Sequence, residues 1–369
     1  MLAKPPHRAA HWRRPPLQDD PELLRLMLVD ERMQSALYRP GPYWAGYQRR
    51  VERALRRFGV REFRRRPEIG KGYSDTVRKN PAELWLEQGK LRHAVKLLVA
   101  MLPPVRGMLA DAQRIARLHR DDARRVRDRY YQSALGPWLE KVTAREPMPD
   151  TTVGGSEDLV TINGQDLARI YVSFLIRMET FAQDVAFGSA RTAMEIGGGF
   201  GAWVHLLLSR YPNVRKVAYI DIPPMIYVGT QYLRHFYGDS VVDYRQTRTR
   251  ERIAFKSNDA LEILCLCPWQ IESLDASIDV FWNSASFREM PPDIIRNYAR
   301  HVDRLLGPAG TACLYLEDPA EATTEGMTPA QDIMAAFPGY AFTSVAPEVD
   351  IEGRPRLYAA GRKAAPTGS

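Results

Sequence analysis

Seven consecutive residues carry the clearest chemical signal in the chain: Glu195-Ile196-Gly197-Gly198-Gly199-Phe200-Gly201. The short apolar run Thr192–Ile196 reads as a strand that delivers Glu195. Trp203, Val204, Leu206, Leu207 and Leu208 read as the apolar part of the helix that follows. Glycines at alternate positions let the backbone take positive φ and approach a ligand closely. The helix then offers free N–H groups and the positive end of its dipole, which suits a carboxylate. Twenty residues past Gly201, the strand Lys216–Ile220 ends in Asp221, whose carboxylate can accept both hydroxyls of a ribose. Loop and acid together describe a site for a nucleoside that carries an amino-acid tail. Gly197, Gly199 and Ala202 also satisfy G-x-G-x-x-[GA], so a nicotinamide dinucleotide suits the same residues.

Other groups fall where strands end, the edge at which open α/β sheets place their ligands. Glu289 follows the strand Ile278–Trp282, and Glu317-Asp318 follows Thr311–Leu316. Glu289 or Asp318 can take the proton of an aliphatic hydroxyl; each can equally cap a helix or open a turn. Pro268-Trp269-Gln270 ends the third strand, where Trp269 can stack on a nucleobase and Gln270 can bond its edge. A buried Trp under the sheet is the plainer alternative. Asn283 ends the fourth strand and is placed to line the passage to the acceptor. His205 and His301 fall inside helices and read as packing or surface residues, whereas His93 and His119 lie on basic helices of the first half. Cys265 and Cys267 share one face of an apolar strand and read as core, because no His or Cys cluster accompanies them. No metal is expected: Glu289 and Asp318 can share a cation, but no spacing demands one.

The elements that must position these groups change character along the chain. Helical spacing runs from Pro21 to Leu37, after Pro42 as far as Gly59, from Pro81 to Met101, from Val105 to Leu135, and from Gln165 to Asp184. Segment 146–164 is rich in Pro and Gly and reads as a boundary. After Arg191, short apolar runs alternate with helices, and the order closes with two strand-like runs, Ala341–Ala346 and Arg356–Gly361, that have no helix between them. That pattern predicts an α/β fold with a doubly wound, mostly parallel, seven-stranded sheet ending in an antiparallel hairpin. Residues 1–185 form a helical N-terminal region over the acceptor site; 186–369 form the donor-binding domain.

Composition sets the outer bounds. The 369 residues are 45% hydrophobic and 26% charged, a globular profile. No apolar run suits a membrane span or a signal core, so a cytoplasmic protein is expected. The net charge of +8 is uneven. Residues 1–150 hold 32 Lys and Arg against 18 Asp and Glu, and the remainder hold 20 against 26. A solvated Arg-rich helical layer accounts for this, and no recognisable RNA-binding module accompanies it.

The segment Glu195–Gly201 resembles motif I of class I S-adenosylmethionine-dependent methyltransferases. From residue 40 to the end of the sheet the chain resembles the sugar O-methyltransferase family. Tyr43-Trp44 with Phe58-Gly59-Val60-Arg61-Glu62-Phe63-Arg64, Ile220-Asp221-Ile222-Pro223-Pro224, and Asn283-Ser284-Ala285-Ser286-Phe287-Arg288-Glu289-Met290 carry that resemblance. It implies the Rossmann-like methyltransferase fold, S-adenosylmethionine as cofactor, and O-methylation of a sugar-bearing or polyhydroxylated small metabolite. Glu195, Gly197, Gly199, Gly201, Asp221, Trp269, Gln270 and Asn283 are then the donor-site candidates, and Glu289 and Asp318 the catalytic ones. Methylation at nitrogen or carbon, an RNA methyltransferase, and a non-catalytic relative are the rival readings, because fold does not fix the acceptor. The expected partner is a small-molecule acceptor, with no nucleic acid and no membrane; a homo-oligomer is compatible with the sequence.

Overall fold

The structure is a computed structural model that describes residues 16–66, 68, 69, 135–146, 148–317, 327–349 and 355–363. The helices expected over 81–101 and from 105 onward, with His93, His119 and Asp318, lie outside the described residues.

In the N-terminal region, Pro begins each of the helices α1 (Pro21–Glu31) and α2 (Pro42–Phe58), where its missing N–H costs nothing. Asp20 caps α1 through the Leu23 N–H, and Gly59, at φ +65°, ends α2 as expected. After α3 (Gly136–Arg145) comes a short hairpin of β1 (Leu159–Ile162) and β2 (Gln165–Ala168), then α4 (Arg169–Phe181). The expectation of helix from Gln165 is thereby corrected. Asn163 and Gly164 both take positive φ in the two-residue turn, and the residues after it pair as a strand before the helix starts.

The main sheet follows the predicted alternation. Its elements are β3 (Thr192–Ile196), α5 (Ala202–Arg210), β4 (Lys216–Ile220), α6 (Met225–Tyr237), β5 (Val241–Val242), α7 (Tyr244–Thr247), β6 (Glu262–Leu266), β7 (Ile278–Ser284), α8 (Pro292–Leu305), β8 (Leu306–Glu317), α9 (Ala330–Ala335), β9 (Tyr340–Val349) and β10 (Pro355–Lys363). The spatial order is β5-β6-β4-β3-β7-β8-β10-β9. β10 alone runs antiparallel to both its neighbours; the pairings from β5 to β8 are parallel. The seven expected strands are present, and the two-residue β5 adds an eighth at one edge. This is the expected doubly wound, mostly parallel α/β fold, closed by an antiparallel hairpin and preceded by a helical N-terminal region.

Side chains alternate between two apolar layers, as a sheet covered on both faces requires. Val217 and Tyr219 face one core, shared with Trp203, Tyr171 and Ile226; Ala218 and Ile220 face the other, shared with Ile295, Tyr298 and Val302. Cys265 and Cys267 are buried together in the first, as core residues. Strand order reverses at β3, with β4 on one side and β7 on the other, which opens a crevice at their carboxyl ends. No helix among the described residues is long and apolar enough to cross a membrane.

The N-terminal region shares the first core: Leu23, Met27, Val51, Leu55 and Phe63 belong to the same apolar cluster as the sheet. Phe63 is its largest fully buried apolar side chain among the described residues of α1, α2 and the segment after α2. It packs on Phe200 with ring centroids 5.3 Å apart and on Tyr232 at 6.2 Å, and the Arg64 guanidinium lies 5.0 Å from the Phe200 ring. Phe63→Ala should therefore destabilise the chain by about 3–5 kcal/mol, the cost of emptying a large buried aromatic site. Urea unfolding measures this; a midpoint unchanged from the parent would contradict the packing.

Candidate functional site

The glycine loop joins β3 to α5 in the crevice. Gly197, Gly199 and Gly201 take φ of +73°, +62° and +83°, a region that side chains rarely tolerate. Gly197 has a second reason to lack a side chain, since a Cβ there would fall 2.2 Å from Ser286 Oγ. On the β7 side, Asn283 Nδ2 donates to Ile196 O at 2.9 Å and to Ser286 Oγ at 2.6 Å, while Ser286 Oγ donates to Ile196 O at 3.1 Å. On the β4 side, the Tyr219 hydroxyl donates to Gly199 O, and Asp221 Oδ2 accepts the Gly199 N–H at 2.7 Å. Phe200, the one bulky residue of the glycine run, turns away into the core against Phe63 and Tyr232. The loop is thus gripped from three directions, and α5 starts directly after it.

Asp221 behaves as a hub. Its second oxygen accepts the Ile222 N–H at 2.7 Å, so each oxygen keeps a further lone pair for a hydroxyl. Burial pushes its carboxyl up to about 7, against the pull of those two N–H bonds, and the charge of Glu289 adds to the rise. Glu195 is buried beneath Gly198. Burial first, and Asp221 second, holds its carboxyl well above the usual range, and Oε2 has no hydrogen-bond partner among the described residues. Three of the sequence candidates, Glu195, Gly199 and Asp221, therefore converge at the ends of β3 and β4.

Two candidates take other roles. Asn283 is completely buried and does not line a passage: it staples the loop to the turn after β7, with Oδ1 accepting the Phe287 N–H at 3.2 Å. Gln270 closes its own turn. Its Oε1 accepts the Cys267 N–H at 3.0 Å and its Nε2 donates to Thr247 Oγ1 at 2.9 Å, which commits the amide internally. Trp269 is half-buried at the end of β6, edge-on to Tyr244 with centroids 5.8 Å apart. The histidines serve packing, as expected: His205 Nδ1 meets the Tyr171 hydroxyl at 2.7 Å, and His301 Nε2 meets the Tyr38 hydroxyl at 3.0 Å.

The remaining site residues come from the N-terminal helices. A Cβ on Gly41 would meet Pro291 Cδ at 2.8 Å, so α2 starts hard against the turn after β7. One turn on, Trp44 Nε1 donates to Glu289 Oε2 at 2.7 Å. One turn further, Gln48 Nε2 donates to Pro223 O at 2.7 Å, in the loop after β4. α2 thus bridges the two strands that flank β3. Sequence reasoning quoted Trp44 and Ser286 only within motifs and passed over Gln48. Among the described residues, no group of three or more His, Cys, Asp or Glu is placed to hold a metal ion.

Solved structures to which the chain is similar include mitomycin 7-O-methyltransferase, at 15% identity over 52% of this chain and 54% of that one, TM-score 0.36. Human N-acetylserotonin methyltransferase, in complex with SAM, matches at 12% identity over 53% and 54%, TM-score 0.36. The N-methyltransferase NodS from Bradyrhizobium japonicum WM9 matches at 16% identity over 53% and 96%, TM-score 0.35. The matched stretch spans about half the length of the first two. No family model matches the chain, and no curated protein matches it. What the site can do follows from its own residues.

The buried acids make a test of their placement. In the unfolded chain Glu195 and Asp221 ionise near their ordinary values of about 4, whereas the folded, ligand-free chain keeps the Asp221 proton up to about 7 and the Glu195 proton well above its ordinary range. Over that window the unfolded state binds fewer protons, so these two groups make stability fall as pH rises. Asp20 and Asp30, lowered by Arg245 and Arg248, work in the opposite sense. Comparison with a variant isolates the effect. Relative to the parent, Glu195→Gln should gain melting temperature progressively as pH rises from about 5 through neutrality. A constant difference across that range would show that Glu195 ionises normally.

Proposed function

We propose that the chain is an S-adenosylmethionine-dependent methyltransferase that methylates a hydroxyl of a sugar-bearing or polyhydroxylated small metabolite. The observation that carries the donor assignment is the bond from the Gly199 N–H to Asp221, which sets a glycine loop and a ribose-accepting carboxylate at the switch point. The start of α5 then takes the donor's amino-acid carboxylate, and Glu195 and Tyr219 fix the loop from below. The reversed strand β10, inserted between β8 and β9, favours this reading over a dinucleotide site, whose classic sheet lacks it.

The donor supplies a methyl group on a positively charged sulfur. The chain's own part is to bring an acceptor oxygen in line behind that methyl carbon and to remove its proton as the new C–O bond forms and the C–S electrons return to sulfur. Glu289, beyond the end of β7 and oriented by Trp44, is the proposed base. Asp318 is the alternative carboxylate. The Arg-rich N-terminal region favours no nucleic-acid substrate in this reading: α2 lays its apolar side, with Val51, Ala54 and Leu55, on the core.

Calorimetry should show binding of S-adenosylmethionine and S-adenosylhomocysteine and none of NADH; the reverse result would sink the assignment. Asp221→Ala should weaken S-adenosylhomocysteine by about 2–3 kcal/mol through the lost charge-assisted bonds to ribose. Glu289→Gln should lower turnover on the acceptor by about 10²–10⁴-fold with donor affinity nearly intact. Near-parent turnover would pass the role to Asp318, tested by Asp318→Asn.

A further inference from the structure

α1 places a carboxyl group where an apolar residue belongs. Leu24, Met27, Leu28 and Glu31 share its buried side, and Glu31 is only 6% exposed. Glu31 Oε2 accepts from Gln48 Nε2, the same nitrogen that donates to Pro223 O. One atom therefore ties Glu31 to the loop after β4, two residues beyond Asp221. The neighbouring Asp30 accepts the Tyr244 hydroxyl at 2.6 Å, and Tyr244 in turn meets Trp269. That contact ties the same turn of α1 to the end of β6. Glu31 stands between the carboxyl ends of β4 and β6, and its second oxygen, Oε1, is buried with no hydrogen-bond partner among the described residues.

A buried acceptor without a donor is destabilising, so one that persists among the described residues, two residues' reach from Asp221, points to a bound partner as its donor. Burial pushes the Glu31 carboxyl up to about 7, as happens when one bond from Gln48 does not replace its hydration. The position fits the base end of the donor. With the ribose on Asp221 at the end of β4, the adenine falls toward β6 and Trp269. Gln270, the residue expected to read its edge, has its amide committed to Cys267 and Thr247.

We propose that Glu31 Oε1 accepts the exocyclic amine of the donor's adenine, so that α1 completes the donor site and selects a 6-amino purine. This rests on the donor reading above. A 6-keto purine presents an oxygen at that place, which a carboxylate repels.

The test is calorimetry of S-adenosylhomocysteine and S-inosylhomocysteine on the full chain and on Glu31→Gln and Glu31→Ala. The parent should prefer the adenosyl ligand by at least tenfold. Glu31→Ala should lose about 10- to 100-fold for the adenosyl ligand and most of the preference, the size of one charge-assisted bond. Glu31→Gln keeps an oxygen for Gln48 and can turn its amide toward a keto group, so it should narrow or invert the preference even if the alanine variant does not fold. Equal binding of both ligands by the parent, or an unchanged preference in Glu31→Gln, would overturn the proposal and leave the donor reading standing. A parent that binds neither ligand would fail the donor reading itself, and this inference with it.

Discussion

Asp221 accepts two backbone N–H groups, one from its own turn and one from Gly199 across the crevice, and the arrangement of the whole carboxyl edge depends on that pair of bonds. They fix the height of the glycine loop over β4. The loop in turn fixes the direction in which α5 starts, and Ser286 fits under Gly197 only because the loop is held there. A carboxylate is well suited to the task, having lone pairs left over after both bonds are made. The cost is electrostatic. Glu195 and Asp221 are buried near each other, with Glu289 close enough for its charge to be felt, so ionising one makes ionising the next harder.

The N-terminal helices answer a second requirement, that the crevice be walled. Across the top, α2 contributes Trp44 toward β7 and Gln48 toward β4; beneath the loop, Phe63 and Arg64 brace Phe200. A loop of glycines has no side chains with which to hold itself. Its rigidity therefore comes from the bonds that Asp221, Tyr219, Asn283 and Ser286 make to its backbone and from the single aromatic in it, seated among aromatics from α4, α6 and the segment after α2. The glycine loop and the N-terminal region are parts of one packing problem rather than a domain and its attachment.

Much of this was legible in the sequence, and the reasons are local. β3, β4, β6 and β7 are short, mostly apolar runs bounded by turn residues, the mark of strands buried on both faces. The closing hairpin shows as two strand-like runs without a helix between them. The first hairpin was legible too, in Asn163-Gly164, but was overridden by the apolar spacing that continues from Leu167 into α4. Glu195 and Gly199 lie in one contiguous motif and Asp221 at the end of the next strand, so their meeting at one edge of the sheet was legible. Gln270 and Asn283 stand at the expected edge with their amides hydrogen-bonded within the chain, which was not legible, since sequence position tells where a side chain starts and not which group captures it. Glu31 left a trace, an acid three and four residues past Leu28 and Met27 on an apolar stripe, but what it faces depends on contacts with residues far along the chain.

The seat of Phe63 also orders the chain in time. During synthesis the ribosome releases Phe63, Val51 and Leu55 long before Phe200 and Tyr232 exist, so this part of the core has no floor when its lid is made. Vectorial folding, in which an N-terminal unit closes before the next is translated, is not open to these helices in their final arrangement. Their apolar sides wait for the sheet to arrive, and until then that surface is open to misassociation.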